Sequence, residues 1–132
     1  MISVFDIFKI SIGPSSSHTV GPMKAGKQFV DTLQEKGLLH EVTRLVVDVY
    51  GSLSLTGKGH HTDIAIILGL SGYLPETVDI DAIPSIIRDV NTHQRLFIEE
   101  GKREIQFPVA ECMRFHNEFL PLHENGMSIT AF

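Results

Sequence analysis

The sequence predicts an α+β fold, a two-layer sandwich in which a mostly antiparallel sheet carries helices on one face. Three observations lead there. Apolar residues at helical spacing dominate the earlier part of the 132-residue chain. Short runs of period two crowd into its last third, and strands alternating with helices in βαβ fashion are scarce.

The elements follow in order. Ser3, with Asp6 at the third position of a capping-box-like pair, predicts a short helix over Val4–Lys9. A longer helix begins between Ser17 and Pro22 and runs to about Glu35. Pro22 is tolerated in a first turn, and Gly37 supplies the stop. Met23, Gly26, Val30 and Leu33, flanked by Phe29, fall on one face, where Ala25 and Gly26 let a neighbouring element come close. Thr43 to Tyr50 is a strand with Leu45, Val47 and Val49 on one side. A loop rich in Gly, Ser and Thr spans Gly51–Gly59. Asp63 to Leu70 is apolar on nearly every side, which predicts a buried helix ended by Gly72. Asp81 and Pro84 open another helix that lasts to about Asn91. Leu96–Glu99 and Glu104–Phe107 flank a turn and predict a hairpin. Met113, Phe115 and Phe119 alternate with Arg114, His116 and Glu118, so a half-buried strand is expected there. Pro121–Gly126 turns the chain into a final strand, Met127–Phe132. A chain that stops in mid-strand on an aromatic residue implies more protein beyond Phe132.

Composition narrows the class. The length suits one domain with its own core. At 42% hydrophobic and 20% charged the chain is globular, and a net charge of −5 leaves no basic stripe for a nucleic-acid partner. No apolar run reaches the ~18 residues of a membrane span, and the N-terminus lacks an export signal. The single cysteine, Cys112, makes no internal disulfide and reads as an inert, partly buried thiol. A cytoplasmic protein is expected.

The chemistry concentrates in the stretch GPSSSHTVGPMKAG, Gly13 to Gly26. It crowds hydroxyls, an imidazole and free backbone N–H groups at a helix start, where the dipole is positive. A small carboxylate or phosphate is the natural guest. His18 there meets the positive helix end, which favours the neutral ring that can accept a proton. A capping and turn role is the default account of a serine-rich loop, and His18 within the cluster weakens it. A second cluster, Gly59-His60-His61-Thr62-Asp63, opens another helix, and the two histidine-bearing starts read as halves of one site. The intervening Gly51–Gly59 loop is not a phosphate loop. It places five residues between Gly51 and Gly57, and Gly59 rather than Ser or Thr follows Lys58. His60, His61 and Asp63 suit a metal by type, but adjacent helical residues point about 100° apart. A polar helix cap is the competing account, and no Cys/His framework is present. His123-Glu124-Asn125-Gly126 is a turn by composition, and His40, His93 and His116 read as surface or strand-edge residues.

Three stretches together carry a family resemblance: SVFDIFKISIGPSSSHTVGPMKAG, VDVYGSLSLTGKGHHTDIAI and HENGM. From Ser3 to Phe132 the chain resembles the N-terminal β domain of iron–sulfur-dependent bacterial L-serine dehydratase. The resemblance implies conversion of L-serine to pyruvate and ammonia, and a fold similar to the allosteric substrate-binding domain of some D-3-phosphoglycerate dehydrogenases. It implies a homodimer and a cysteine-bearing α domain or subunit with an oxygen-sensitive [4Fe–4S] cluster, whose open iron supplies a Lewis acid. It places the functional histidines at His18 and His60, and the signature loop at Ser15, Ser16, Ser17 and Thr19. Asp63, His123 and Asn125 lie in matching motifs as substrate-binding candidates. Cluster ligation takes several thiolates, so this chain is expected to bind no cofactor or metal and to be inactive alone.

Two further functions remain open. A regulatory domain would bind L-serine and contribute no catalytic group. A free-standing His/Asp metal hydrolase would hold its own metal through His60 and Asp63. No lysine sits in a pattern associated with pyridoxal chemistry.

Overall fold

Alternation along Leu45-Val46-Val47-Asp48-Val49 builds strand β2 (Leu45–Gly51). The computed structural model describes residues 7–11, 20–51, 62–99, 101–116 and 125–132. Within them β2 belongs to a four-stranded sheet in the order β1 (Ile7–Ser11), β6 (Asn125–Ala131), β2, β5 (Met113–Phe115). Strand β6 runs antiparallel to β1 and β2, while β5 runs parallel to β2. Register sets Leu45 against Ala131, Val47 against Ile129 and Val49 against Met127. All six side chains are 0% exposed, so this face of the sheet is the floor of the core.

The helical layer closes over that floor. Helix α1 (Val20–Glu35) contributes Ala25, Phe29, Val30 and Leu33, and helix α2 (Thr62–Leu70) contributes Ile66, Ile67 and Leu70 to the same cluster. Gly37, at φ +71°, ends α1 in the left-handed conformation glycine tolerates. There Leu38 N donates to Leu33 O and Gly37 N to Gln34 O. The two helices meet backbone to backbone. A Cβ added at Gly69 would fall on the Met23 carbonyl oxygen and 3.1 Å from Lys27 N. One added at Gly26 would sit 3.0 Å from Leu70 N. A smaller cluster of Met23, Ala65 and Leu68 is covered by Ile83, Ile86 and Ile87 of helix α3 (Ile83–His93). The hairpin β3 (Arg95–Ile98) and β4 (Arg103–Gln106) adds Leu96, Ile98 and Ile105 to the main core. Arg103 fastens this hairpin by donating to Leu39 O at 2.8 Å and Val42 O at 2.6 Å. A one-turn helix α4 (Val109–Cys112) precedes β5 and buries Cys112 completely. Among the described residues no helix is long and apolar enough to cross a membrane.

The α+β class, the buried helical faces and the hairpin agree with the sequence. Two expectations are corrected. The helix over Val4–Lys9 is replaced, for its described residues, by strand β1 from Ile7 to Ser11. Ile7, Phe8 and Ile10 are strand-forming types, and pairing with β6 overrides the local capping signal. The order of helices first and strands last also fails. β1 precedes α1, and the chain reads β1-α1-β2-α2-α3 before the hairpin. Parallel strands β1 and β2 are separated in space by β6, a partner far away in sequence. The expected strand through Phe119 is described only as Met113–Phe115, because residues 117–124 lie outside the described residues.

Candidate functional site

Register gathers three chain segments at one end of the sheet. Ser11 pairs with Gly126, Tyr50 with the same Gly126, and Gly51 with Asn125. The C-terminal ends of β1 and β2 and the start of β6 therefore lie side by side. From Ser11 the chain leaves for residues 12–19 and returns as α1, and from Gly51 it leaves for residues 52–61 and returns as α2. Residues 117–124 arrive at Asn125. Carboxyl ends of parallel strands feeding helix N-termini form a common setting for anionic ligands, because unpaired N–H groups converge there.

The sequence-derived site residues map onto this end through their roots. Ser15, Ser16, Ser17, His18 and Thr19 belong to residues 12–19, His60 to residues 52–61 and His123 to residues 117–124; all lie outside the described residues. Asn125 opens β6 opposite Gly51. Asp63 is the second residue of α2, half-buried, and its Oδ1 accepts from Ile64 N at 2.9 Å. Thr62, the first residue of that helix, is fully buried.

One group of side chains escaped the sequence analysis. Asp48, only 8% exposed, projects on the face of β2 opposite Val47 and Val49. Parallel register sets it beside Arg114, whose Nε donates to Oδ1 at 2.9 Å and Nη2 to Oδ2 at 3.2 Å. His116 Nε2 donates to Oδ1 at 2.8 Å, and its ring stacks on Tyr50 with centroids 4.6 Å apart and planes at 12°. Ser128, also buried, is Asp48's register partner on β6. His116 directly follows the edge strand β5, and its ring is half-buried and bonded rather than a plain surface side chain. The signal available in the sequence was a lone Asp between valines, Val47 and Val49, inside the strand.

A cleft of about 580 Å³ lies elsewhere, past the C-terminal end of α2, between α1, α3 and the hairpin. Val30, Leu39, Leu70 and Phe97 line it together with Lys27 and Asp89. Its charges are spoken for. Lys27 binds Asp31 at 2.6 Å, and Arg95 binds Asp89 through two nitrogens at 2.7 and 3.1 Å. The second arrangement holds the Asp89 carboxyl below its ordinary range, chiefly through the Arg95 hydrogen bond, and raises Arg95 in turn. Among the described residues no group of three or more His, Cys, Asp or Glu side chains is placed to hold a metal ion.

A chain with this sheet end and these motifs can be compared with known proteins. The family model described as serine dehydratase beta chain matches residues 3–132. The chain belongs to that family. It is 74% identical over 131 residues to L-serine dehydratase 2 of Escherichia coli (strain K12), covering 99% of this chain and 29% of that protein. Identity to L-serine dehydratase 1 of the same strain is 70% over 132 residues, covering 100% and 29%. L-serine dehydratase of Haemophilus influenzae is 59% identical over 131 residues, at 99% and 29% coverage. The chain thus spans under a third of the length of these relatives.

Proposed function

We propose that the complete protein is an L-serine dehydratase, converting L-serine to pyruvate and ammonia, and that this chain supplies one wall of its substrate pocket. The observation that carries this is the register bringing the roots of all three motif-bearing segments to one end of the sheet. The names of the relatives supply the substrate.

The reaction needs the α-proton removed and hydroxide expelled from Cβ as water. The resulting aminoacrylate tautomerises and is hydrolysed to pyruvate and ammonium. On this assignment the N–H groups and hydroxyls of Ser15, Ser16, Ser17 and Thr19 bind the substrate carboxylate at the start of α1. His18 and His60 hold or move the protons at Cα and the leaving oxygen. Asp63, His123 and Asn125 orient the amino acid. A [4Fe–4S] cluster does not fit the residues of this chain. Cluster ligation takes several thiolates, and the single cysteine, Cys112, is 0% exposed inside the apolar core. The cysteine-bearing α domain or subunit would hold it, and the isolated chain would be inactive.

Replacing His60 with Ala in the full-length protein is expected to lower turnover of L-serine by about two orders of magnitude or more. Turnover within a few-fold of wild type would take His60 out of the mechanism. Failure of the unaltered full-length protein to release pyruvate from L-serine would refute the function itself.

A further inference from the structure

Asp48 is a carboxylate where the sheet has no need of one. Val46, two residues earlier on the same face, is buried to 3% exposure, so an aliphatic side chain satisfies that surface. A buried carboxylate is costly to desolvate unless its oxygens are bonded. Here both are, by Arg114 of the neighbouring edge strand and by His116 just past its end.

We infer that Asp48 and His116 form a positioning pair for the candidate site, the carboxylate fixing the imidazole at the loop-bearing end of the sheet. The inference rests on the dehydratase function proposed above, and its geometry stands apart from the motifs that suggested that function. The ring is held on several sides at once. Nε2 donates to Asp48 Oδ1 at 2.8 Å, Tyr50 stacks on one face at 4.6 Å, and the backbone N of His116 donates to Val49 O at 2.8 Å. Arg114 holds the carboxylate from its own side, so the acceptor cannot swing away from the ring. The carboxylate can only accept, so Nε2 is the nitrogen that carries the shared proton.

The location gives the pair its function. Val49 is level with Phe115, so His116 is level with Tyr50, one residue short of Gly51 where β2 ends. On its other side the chain leaves His116 for the residues that include His123. Strand β5 has three register pairs with β2, a short hold for an edge strand. The Asp48–His116 bond and the Tyr50 stack extend that hold to the last described residue before the site segment. A small displacement of a positioning group costs catalysis far more than stability.

The test uses the full-length protein with L-serine and compares three variants. His116→Phe keeps a ring to stack on Tyr50 and loses the donor. His116→Gln returns an amide N–H to about the Nε2 position. Asp48→Asn keeps the side-chain size and removes the charge. We expect His116→Phe and Asp48→Asn to lower kcat about tenfold with KM changed by less than about threefold, while the melting midpoint stays close to wild type. His116→Gln should recover kcat to within about threefold. A His116→Phe enzyme with wild-type kcat, or a His116→Gln enzyme as impaired as His116→Phe, overturns the inference. So does a loss of activity that tracks a fall in melting midpoint. Histidine ¹⁵N spectra of the same protein separate this from failure of the dehydratase function. They are expected to show His116 in the Nε2–H form, with a shift on Asp48→Asn. A ring whose Nε2 carries no proton, or a ring indifferent to Asp48→Asn, refutes the pair whatever the protein does with L-serine.

Discussion

Gly69→Ala is the most exacting perturbation the helix layer offers. In an ordinary helix interior the change stabilises by about 1 kcal/mol, because alanine loses less backbone freedom. At Gly69 the new Cβ lands on the Met23 carbonyl oxygen, with Met23 C at 3.0 Å and Lys27 N at 3.1 Å. All three obstacles are backbone atoms of α1, so no side chain can rotate aside and the helices must separate. Overpacking of this kind costs about 1–3 kcal/mol, and a backbone obstacle puts it at or beyond the upper end. The net expectation is a loss of about 2 kcal/mol, or a fall of roughly 7 °C in melting midpoint for a domain of this size. At Gly26 the obstacles are milder, Leu70 N at 3.0 Å and Gly69 C at 3.1 Å, so Gly26→Ala should cost less than half as much. The double variant should cost less than the sum, because one separation of the helices relieves both contacts. Urea unfolding followed by far-ultraviolet circular dichroism measures all three. A Gly69→Ala protein as stable as wild type would refute the backbone-to-backbone packing of α1 on α2.

Arg103→Met should destabilise by about 1.5–3 kcal/mol, since two charge-assisted bonds to the carbonyls of Leu39 and Val42 are lost. Hydrogen exchange in β3 and β4 should quicken with it, and unchanged protection of those amides would count against the clamp. The Asp89 carboxyl should titrate below its ordinary value of 3.8, because Arg95 hydrogen-bonds its charged form. Its contribution to stability is therefore complete above pH 3.8 and lost as pH falls through the lower folded value. Carboxyl ¹³C titration checks this directly, and Arg95→Met should return the midpoint to the ordinary range.

Where the sequence was legible, its signals were local. Met23, Phe29, Val30 and Leu33 fall on one helical face and are buried, as their spacing requires. Asp63–Leu70 lacks a polar side, and its residues from Ala65 to Leu70 are all buried. The failures were non-local. Nothing in Ile7–Ser11 reveals that its partner is Gly126–Thr130, so a weak capping pattern prevailed where a strand forms. Asp48 and His116 stand apart in sequence and meet only because β5 lies parallel to β2. The candidate site was legible as motifs. Its unifying feature, three roots at one sheet end, depends on the register of β6 and could not be read from any one segment.

The central position of β6 has a consequence during synthesis. Strand β6 is made after β1 and β2 and lies between them, so Ile7 waits for Thr130 and Leu45 for Ala131. On the ribosome β1 emerges well before its partner β6, an open edge available to wrong neighbours. The sheet closes only after Asn125–Ala131 has left the exit tunnel. Until then the pairing edges of β1 and β2 that β6 will occupy stay open to each other and to other chains.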